Sequence, residues 1–514
     1  MLKDIVDAYH QANFDGCLQF AVDDMLANQG IETLHIAGLA LLQLRRVEEG
    51  MTLLRAAAAF QPQAAEIYTN AANAAQTLCL PDDLEYFCRL GLRAFPADPL
   101  LKELAGNVHL LRLDYQQAVV SYQELLAADP HNVRARINLA NAYRFLLRPK
   151  QATEQFELAG ALAPEHPDLI MSLAAFYGEV GRPDEAMALL EQIDHPDAPA
   201  MLALHQLACG DYANGWNTNQ RRWSSVAFSK ATLPPRPVRC LQQVDRKQVA
   251  IMREGGFGDV FQFFRYIQML AWRVTEIHFT VRPSEVELYR YNLPNNINFN
   301  VVADPTAIEI PARYEHTIAL FDLPLLFETF SLDAIPATLP YLSVPADAVE
   351  QYALAPTQNK RVGLVWAGGA ATGLNERAYD RRRSIKLGDL ACLGEVPGVD
   401  LISLQQGPHR DDIGLAATQV LSDDASWLET AAVLAQLDLV ISVDTAVVHL
   451  AAAMGRPTWL LSRFDPCWRW LRNRPDSPWY PGVLRVFGQT AFNDWSAAIE
   501  AVRDALTTWS QDLS

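Results

Sequence analysis

Hydrophobic and polar positions fall into two arrangements along the chain. Up to about residue 200, small and large apolar residues return in a constant register with polar residues between them. Beyond residue 238 the apolar residues gather instead in short runs. These are Val249–Met252, Glu276–Val281, Phe299–Val302, His316–Ala319, a run from Arg361 into Gly369, Val399–Leu404, Leu439–Val443 and Thr458–Leu461. Their brevity and β-branched content predict strands. Helical stretches lie between them. Val260, Phe263, Phe264 and Ile267 share one helix face, and Trp427–Gln436 and Ala446–Met454 predict two further helices. Ala498, Ile499, Val502 and Leu506 mark an amphipathic helix over Trp495–Thr507. Gly455 suits the left-handed residue that closes a helix, and Pro457 prevents its continuation. Alternating strands and helices predict α/β layering.

In the first arrangement, Pro62, Pro96, Pro130 and Pro164 stand 34 residues apart. Twenty-four positions before each lies a small residue, Gly38, Ala72, Gly106 and Ala140, with Ala174 next in register. Eight positions before each lies Leu54, Cys88, Tyr122 and Phe156, then Leu190. Small residues let two antiparallel helices approach, large ones fill the groove, and proline ends the second helix. This is the tetratricopeptide pattern. It predicts five repeats over residues 31–200, a degenerate capping repeat over 1–30, and a last helix pair from Ala203 to Trp223. Residues 1–230 are thus expected to form an α-solenoid with capping helices. Such an array acts as a spacer or dimerisation surface, or offers a concave groove to a peptide or protein; the groove is the expectation here. Asn70, Asn73, Asn107, Asn138 and Asn141 recur on the first helices. They either bond a bound backbone or face solvent.

Half of the 514 residues are hydrophobic, too many for one core, so two or three domains are expected. The proline-rich stretch Leu233–Pro237 marks a boundary. Beyond it the runs divide into Rossmann-like domains over 238–345 and 356–490, with a closing helix in 491–514. A net charge of -18 argues against a nucleic-acid partner. Seven scattered cysteines without a Cys-x-x-Cys pair predict neither a disulfide framework nor a zinc site. That usage, an N-terminus carrying early acids, and no apolar run long enough to span a bilayer together predict a soluble cytoplasmic protein.

Candidate chemistry sits at the turns. Gly255, Gly256 and Gly258 follow a strand and let the backbone approach a ligand, but they lack the dinucleotide spacing and the lysine of a P-loop. Asp259 is then either a helix N-cap or a general base for an attacking hydroxyl. Residues 370–383 predict a long polar loop, and Ser384 is placed to cap a helix from Ile385. Arg382, Arg383 and Lys386 suit phosphate oxygens or neighbouring acids equally. Gln405 and Gln406 lie on a strand-end loop where a nucleoside could rest. Asp444 and Thr445 stop a strand before a helix. They either cap it or attend a diphosphate bound by its N–H groups, with Asp444 fixing the turn because like charges repel. His449 lies one turn along the same face. Trp468, Trp470, Trp479 and Tyr480 could stack a base or sugar; packing across a domain seam is the expectation.

With these motifs placed, the chain resembles bacterial tetratricopeptide-repeat glycosyltransferases whose catalytic half is related to the lipopolysaccharide heptosyltransferases. The matching pieces are Gly215-Trp216 with Arg222-Trp223, Glu254–Asp259, Val362–Gly368, Arg383–Ile385, Ser403–Gly407, Val443–His449, and Trp468–Trp470 with Ser477–Pro481. They run in order over nearly the whole chain. The resemblance implies a GT-B fold, a pair of Rossmann-like α/β domains facing across a cleft, with the donor on the C-terminal domain and the acceptor on the N-terminal one. It implies Asp259 as base, and Asp444, Thr445 and His449 beside the donor diphosphate. It implies inverting transfer from a nucleotide sugar as co-substrate, with no metal. Other repeat-bearing members modify proteins including flagellins, which implies a flagellin-like acceptor protein held by the repeat groove. Two departures stand out: Ala446 replaces a frequent glycine, and Arg381–Lys386 replaces a lysine-bearing phosphate loop. A non-catalytic repeat scaffold with a decayed transferase half is the main rival, and a lipopolysaccharide heptosyltransferase with an added repeat arm the second.

Overall fold

The computed structural model describes residues 2–28, 30–224, 237–303, 310–311, 313–369 and 374–511. The expected linker at 233–236 and the start of the expected polar loop at 370–373 lie outside them. Two compact units divide the chain, Met1–Ser172 and Leu173–Ser514.

The first unit is a stack of helix pairs, Leu2–His10 with Phe14–Asn28, Ile31–Gln43 with Val47–Ala59, Ala65–Thr77 with Pro81–Ala94, Pro99–Leu111 with Tyr115–Ala128, and Val133–Phe145 with Pro149–Leu162. The small-against-large register is physical. A Cβ on Gly38 would stand 2.9 Å from Leu54, and one on Gly106 would stand 2.7 Å from Tyr122. Ala72 and Ala140 are fully buried at the equivalent places. A second register was hidden in the sequence. The turn inside each pair holds one left-handed residue, at Ala12, Arg45, Cys79, Leu113 and Leu147. None of these five is glycine, and only Gly181, next in the register and also left-handed, marked the turn in composition.

The second unit begins within helix Pro167–Glu179, which is followed by helices Pro183–Gln192, Ala198–Ala208 and Tyr212–Asn219 and a short 3-10 segment Gln220–Ser224. Two parallel sheets follow. In the first lobe β1 (Gln248–Met252), β2 (Glu276–Val281), β3 (Ile297–Val301) and β4 (His316–Ala319) lie in the order β3-β2-β1-β4. The second lobe holds β5 (Lys360–Val365), β6 (Val399–Ser403), β7 (Thr418–Gln419), β8 (Leu439–Val443), β9 (Thr458–Ser462) and β10 (Leu484–Gly488), ordered β10-β9-β8-β5-β6-β7. This is the Rossmann order, and it reverses between β5 and β8, where such sheets open a crevice at their carboxyl ends. Strands β5, β8 and β9 are buried because helices cover the sheet, which is why they read as continuous apolar runs.

Trp468, Trp470, Trp479 and Tyr480 belong to one buried core with residues of both lobes, as the seam reading expected. That core also takes in Tyr212 and Trp216. Trp216 meets Trp468 edge-on at 5.3 Å, and the Trp479 indole donates to the Tyr212 hydroxyl at 2.9 Å. The closing helix, Ser496–Gln511, buries Ala498, Ile499, Val502 and Leu506. One local expectation fails. Residues Leu374–Arg383 are helical rather than loop, and no helix starts at Ile385; 3-10 turns run from Leu387 to Glu395 instead. The stretch lacks apolar periodicity, and tertiary bonds from Tyr379 and Arg383 hold it in place of an apolar face. Among the described residues no helix is long and apolar enough to cross a membrane.

Candidate functional site

A cavity of about 780 Å³ lies between the lobes at the carboxyl ends of β1, β5, β6 and β8. The first lobe contributes the glycine turn after β1. Gly255 is left-handed there, at φ +70°, and a Cβ would also strike the Asp259 carboxylate. The helix Phe257–Ala271 therefore begins with Gly256 as its N-cap. Asp259 is not the cap expected from sequence but the third helical residue, reaching back to accept the Gly256 N–H at 2.6 Å. Its other oxygen accepts from Arg469, whose remaining nitrogens donate to Gln262 at 2.6 Å and to Cys467 Sγ at 2.9 Å. The turn is anchored from behind. Glu254 accepts from Nε and Nη2 of the Arg222 guanidinium at 2.9 and 2.8 Å, and from the Phe321 N–H at 3.1 Å. This gives Arg222 and Glu254, both quoted among the family motifs, a shared structural task.

The second lobe contributes the corner after β8. Thr445 is the N-cap of helix Ala446–Ala453, yet among the described residues no side chain caps that helix start. The Thr445 hydroxyl bonds Ser442 instead, at 3.0 Å. Asp444 is no cap either. Its carboxylate accepts the Tyr379 hydroxyl at 2.6 Å, and its carbonyl accepts from Arg383 at 2.6 Å. Burial works to raise the Asp444 carboxyl, but the Arg383 charge and the Tyr379 hydrogen bond outweigh it and hold it below its ordinary value. The helix start is thus left with free amides flanked by fixed groups.

His449 joins the lobes. Its ring stacks on Trp470 at 4.8 Å and bonds the Tyr480 hydroxyl through Nδ1 at 2.9 Å. Burial, reinforced by Arg469, lowers it to about 3, so it is a neutral imidazole. Its ring also meets the first lobe, where a Cβ on Gly258 would stand 2.8 Å from Cδ2 and 3.4 Å from the Ala446 Cα. Gly258 supplies the close approach, and Ala446 fits because Gly258 opposite it has no side chain.

Of the residues singled out from sequence, Asp259, Gly256, Gly258, Arg383, Gln405, Gln406, Asp444, Thr445 and His449 line this one cavity. Gly255 and Ser384 shape it from outside. Ser384 accepts the Gly368 N–H at 3.1 Å and donates to the Asp380 carbonyl, rather than capping a helix from Ile385. Gln405 is spent tying its loop to the turn after β5, accepting from Trp366 and Ala367 and donating to the carbonyls of Ala367 and Gln406. Arg382 points elsewhere, to Glu179 at 2.9 Å and Asp465 at 3.3 Å. Lys386 precedes the turns at Leu387 and does not line the cavity. Sequence reasoning missed Arg469 and Tyr379 as cavity residues, and the opening's aromatic wall, where Trp427 meets Phe257 at 5.0 Å. Arg469 was visible inside the Trp-Arg-Trp motif but was overshadowed by its aromatic neighbours.

Residues 421–461, which contain the β8 corner, match glycosyltransferase family 9 (heptosyltransferase). Protein FlbA of Caulobacter vibrioides is 25% identical over 391 residues, covering 68% of this chain and 63% of FlbA, so the match spans less than two thirds of that relative. A thermophilic TPR protein of Thermus thermophilus matches at 19% identity and TM-score 0.31, over 33% of this chain and 95% of that one. A tetratricopeptide repeat protein of Parabacteroides merdae matches at 14% identity and TM-score 0.39, over 45% and 94%. The resemblance read from the motifs holds: tetratricopeptide repeats precede a heptosyltransferase-like α/β half.

Proposed function

We propose that this chain, a tetratricopeptide array joined to a heptosyltransferase-like half, transfers a sugar from a nucleotide sugar to a hydroxyl of a protein held by the repeats. The observation that carries the reading is a single cavity with Asp259 on one lobe and an uncapped helix start on the other. In a GT-B arrangement the acceptor oxygen attacks the anomeric carbon while the bond to the diphosphate breaks. Asp259 takes the hydroxyl proton, and the nucleoside diphosphate leaves from the opposite face, inverting the centre. The amides after Thr445, with Arg383 and Arg469, receive the negative charge, so the reading invokes no metal. Trp427 and Gln406 flank the space a nucleoside would take. Arg469 has two tasks in this scheme, since the guanidinium that would meet the diphosphate also holds Asp259.

The test is Asp259→Asn, with uridine, cytidine, guanosine and adenosine diphosphates and their sugars. Donor binding by calorimetry should persist while transfer disappears. Full transfer by that variant removes Asp259 as base. Binding of none of these nucleotides by the wild-type chain favours a scaffold, and transfer to lipid but not protein acceptors favours a lipopolysaccharide heptosyltransferase. A cytoplasmic location and a flagellin-like acceptor belong to the same reading.

A further inference from the structure

The first unit contains a second built site. A cavity of about 280 Å³ runs along the first helices of consecutive repeats, lined by polar side chains that repeat in the 34-residue register. Asn73, Asn107 and Asn141 occupy one repeat position, and Arg134 and Asp168 another. Glu103 breaks the pattern. Its equivalents in the neighbouring repeats are Thr69 and Ile137, both buried, so the helix packing at this place does not call for an acid. Glu103 is itself only 8% exposed and lines the cavity. Among the described residues its carboxylate has no hydrogen bond and no ion pair. Burial raises its carboxyl and Asp168 adds to that, while Arg134 opposes. A largely buried carboxylate that opens on the cavity with no bonded partner, attracted by Arg134 only through space, is costly, and a position that accepts threonine or isoleucine does not require it.

We propose that this groove binds an extended polypeptide segment and that Glu103 receives one lysine or arginine side chain from it. The amides that accompany Glu103 suit a peptide rather than a lone amine. The Asn73 side chain has no partner among the described residues, and Asn138 donates to Asn107 at 3.2 Å with its own oxygen unspent. These groups can bond a backbone on either side of the cationic residue. The inference rests on the reading that the repeats hold the acceptor protein, and it gives that protein a chemical mark: a basic residue in the docking segment, apart from the hydroxyl that is modified.

The experiment uses the full chain and three pools of fluorescein-labelled dodecapeptides, random at polar positions and fixed centrally as lysine, norleucine or glutamate. Anisotropy should show the lysine pool binding about tenfold or more tighter than the other two, the scale of a charge-assisted bond. Glu103→Gln should erase that preference, and Glu103→Lys should transfer it to the glutamate pool. Equal binding of all three pools by the wild type overturns the proposal. So does a Glu103→Gln chain that keeps the preference, or an Arg134→Gln chain that loses stability while Glu103→Gln leaves the pools unchanged, which would make Glu103 a partner of Arg134 alone. Nucleotide binding by the same Glu103→Gln chain separates the two readings. Intact nucleotide binding with no peptide preference sinks only this inference, whereas a wild type that binds no nucleotide sinks the transferase.

Discussion

Gly258→Ala probes the junction of the lobes directly. The new Cβ would stand 2.8 Å from the His449 ring, where carbon pairs settle at about 3.5–4.0 Å. About 0.7 Å or more must therefore be found. The ring cannot swing away, because Trp470 stacks on it and Tyr480 holds Nδ1. The same Cβ would stand only 3.4 Å from the Ala446 Cα, so it cannot move off in that direction either. Overpacking of this kind costs about 1–3 kcal/mol. Replacing glycine in a helix returns up to about 1 kcal/mol, less at a first turn. The net is a loss of about 1 kcal/mol, a few degrees in Tm at most. The functional effect is larger, because the displaced element is the helix start proposed to hold the diphosphate, and a 1 Å misplacement costs about a hundredfold in rate. Thermal melts with and without the bound nucleotide diphosphate, together with transfer rates, read both effects. Gly388→Ala is the matched control, since a Cβ there meets nothing within 4 Å. A Gly258→Ala chain that melts, binds and turns over like Gly388→Ala refutes the close-approach argument.

His449 gives a pH signature. It titrates ordinarily at 6.5 and is lowered to about 3 by burial and Arg469, so the stability of the neutral ring is present above pH 6.5 and drains as pH falls toward 3. The slope is about 1.4 kcal/mol per pH unit. His449→Gln should flatten the urea-midpoint profile between pH 6 and 4 by about that amount, and parallel profiles would reject the assignment. Arg222→Met strands the Glu254 carboxylate in the interior and should cost about 3–5 kcal/mol in urea unfolding; a loss below about 1 kcal/mol contradicts the anchoring role. Tyr212→Phe leaves the buried Trp479 N–H unpaired and should cost about 1–3 kcal/mol, which wild-type stability would disprove.

What could be read from the sequence followed the strength of its periodicities. The repeats were legible because one packing problem, a small residue facing a large one, recurs every 34 positions. The parallel strands were legible because burial on both faces leaves no polar alternation. The β8 corner combined both kinds of signal, a buried run and an abrupt acid and hydroxyl. The loop expected at 370–383 was misread because its helix is held by Tyr379 and Arg383 reaching Asp444, contacts that join residues more than sixty positions apart. Arg382 and Arg383 are adjacent and chemically identical, so only the helix direction could decide that one enters the cavity while the other bonds Glu179 and Asp465. Arg469 depended on a partner 210 residues away.

The placement of Tyr212, Trp216 and Arg222 bears on how this chain can be taken apart. All three precede the proline-rich stretch, yet they fill the interior of the α/β half and brace its glycine turn. Scissors applied at residue 238 would spare every strand while leaving Trp468 and Trp479 wet and Glu254 stranded. Anyone exchanging one repeat array for another should graft ahead of Pro167, so that helix Pro167–Glu179 stays whole and the three helices after it travel with the lobes they complete.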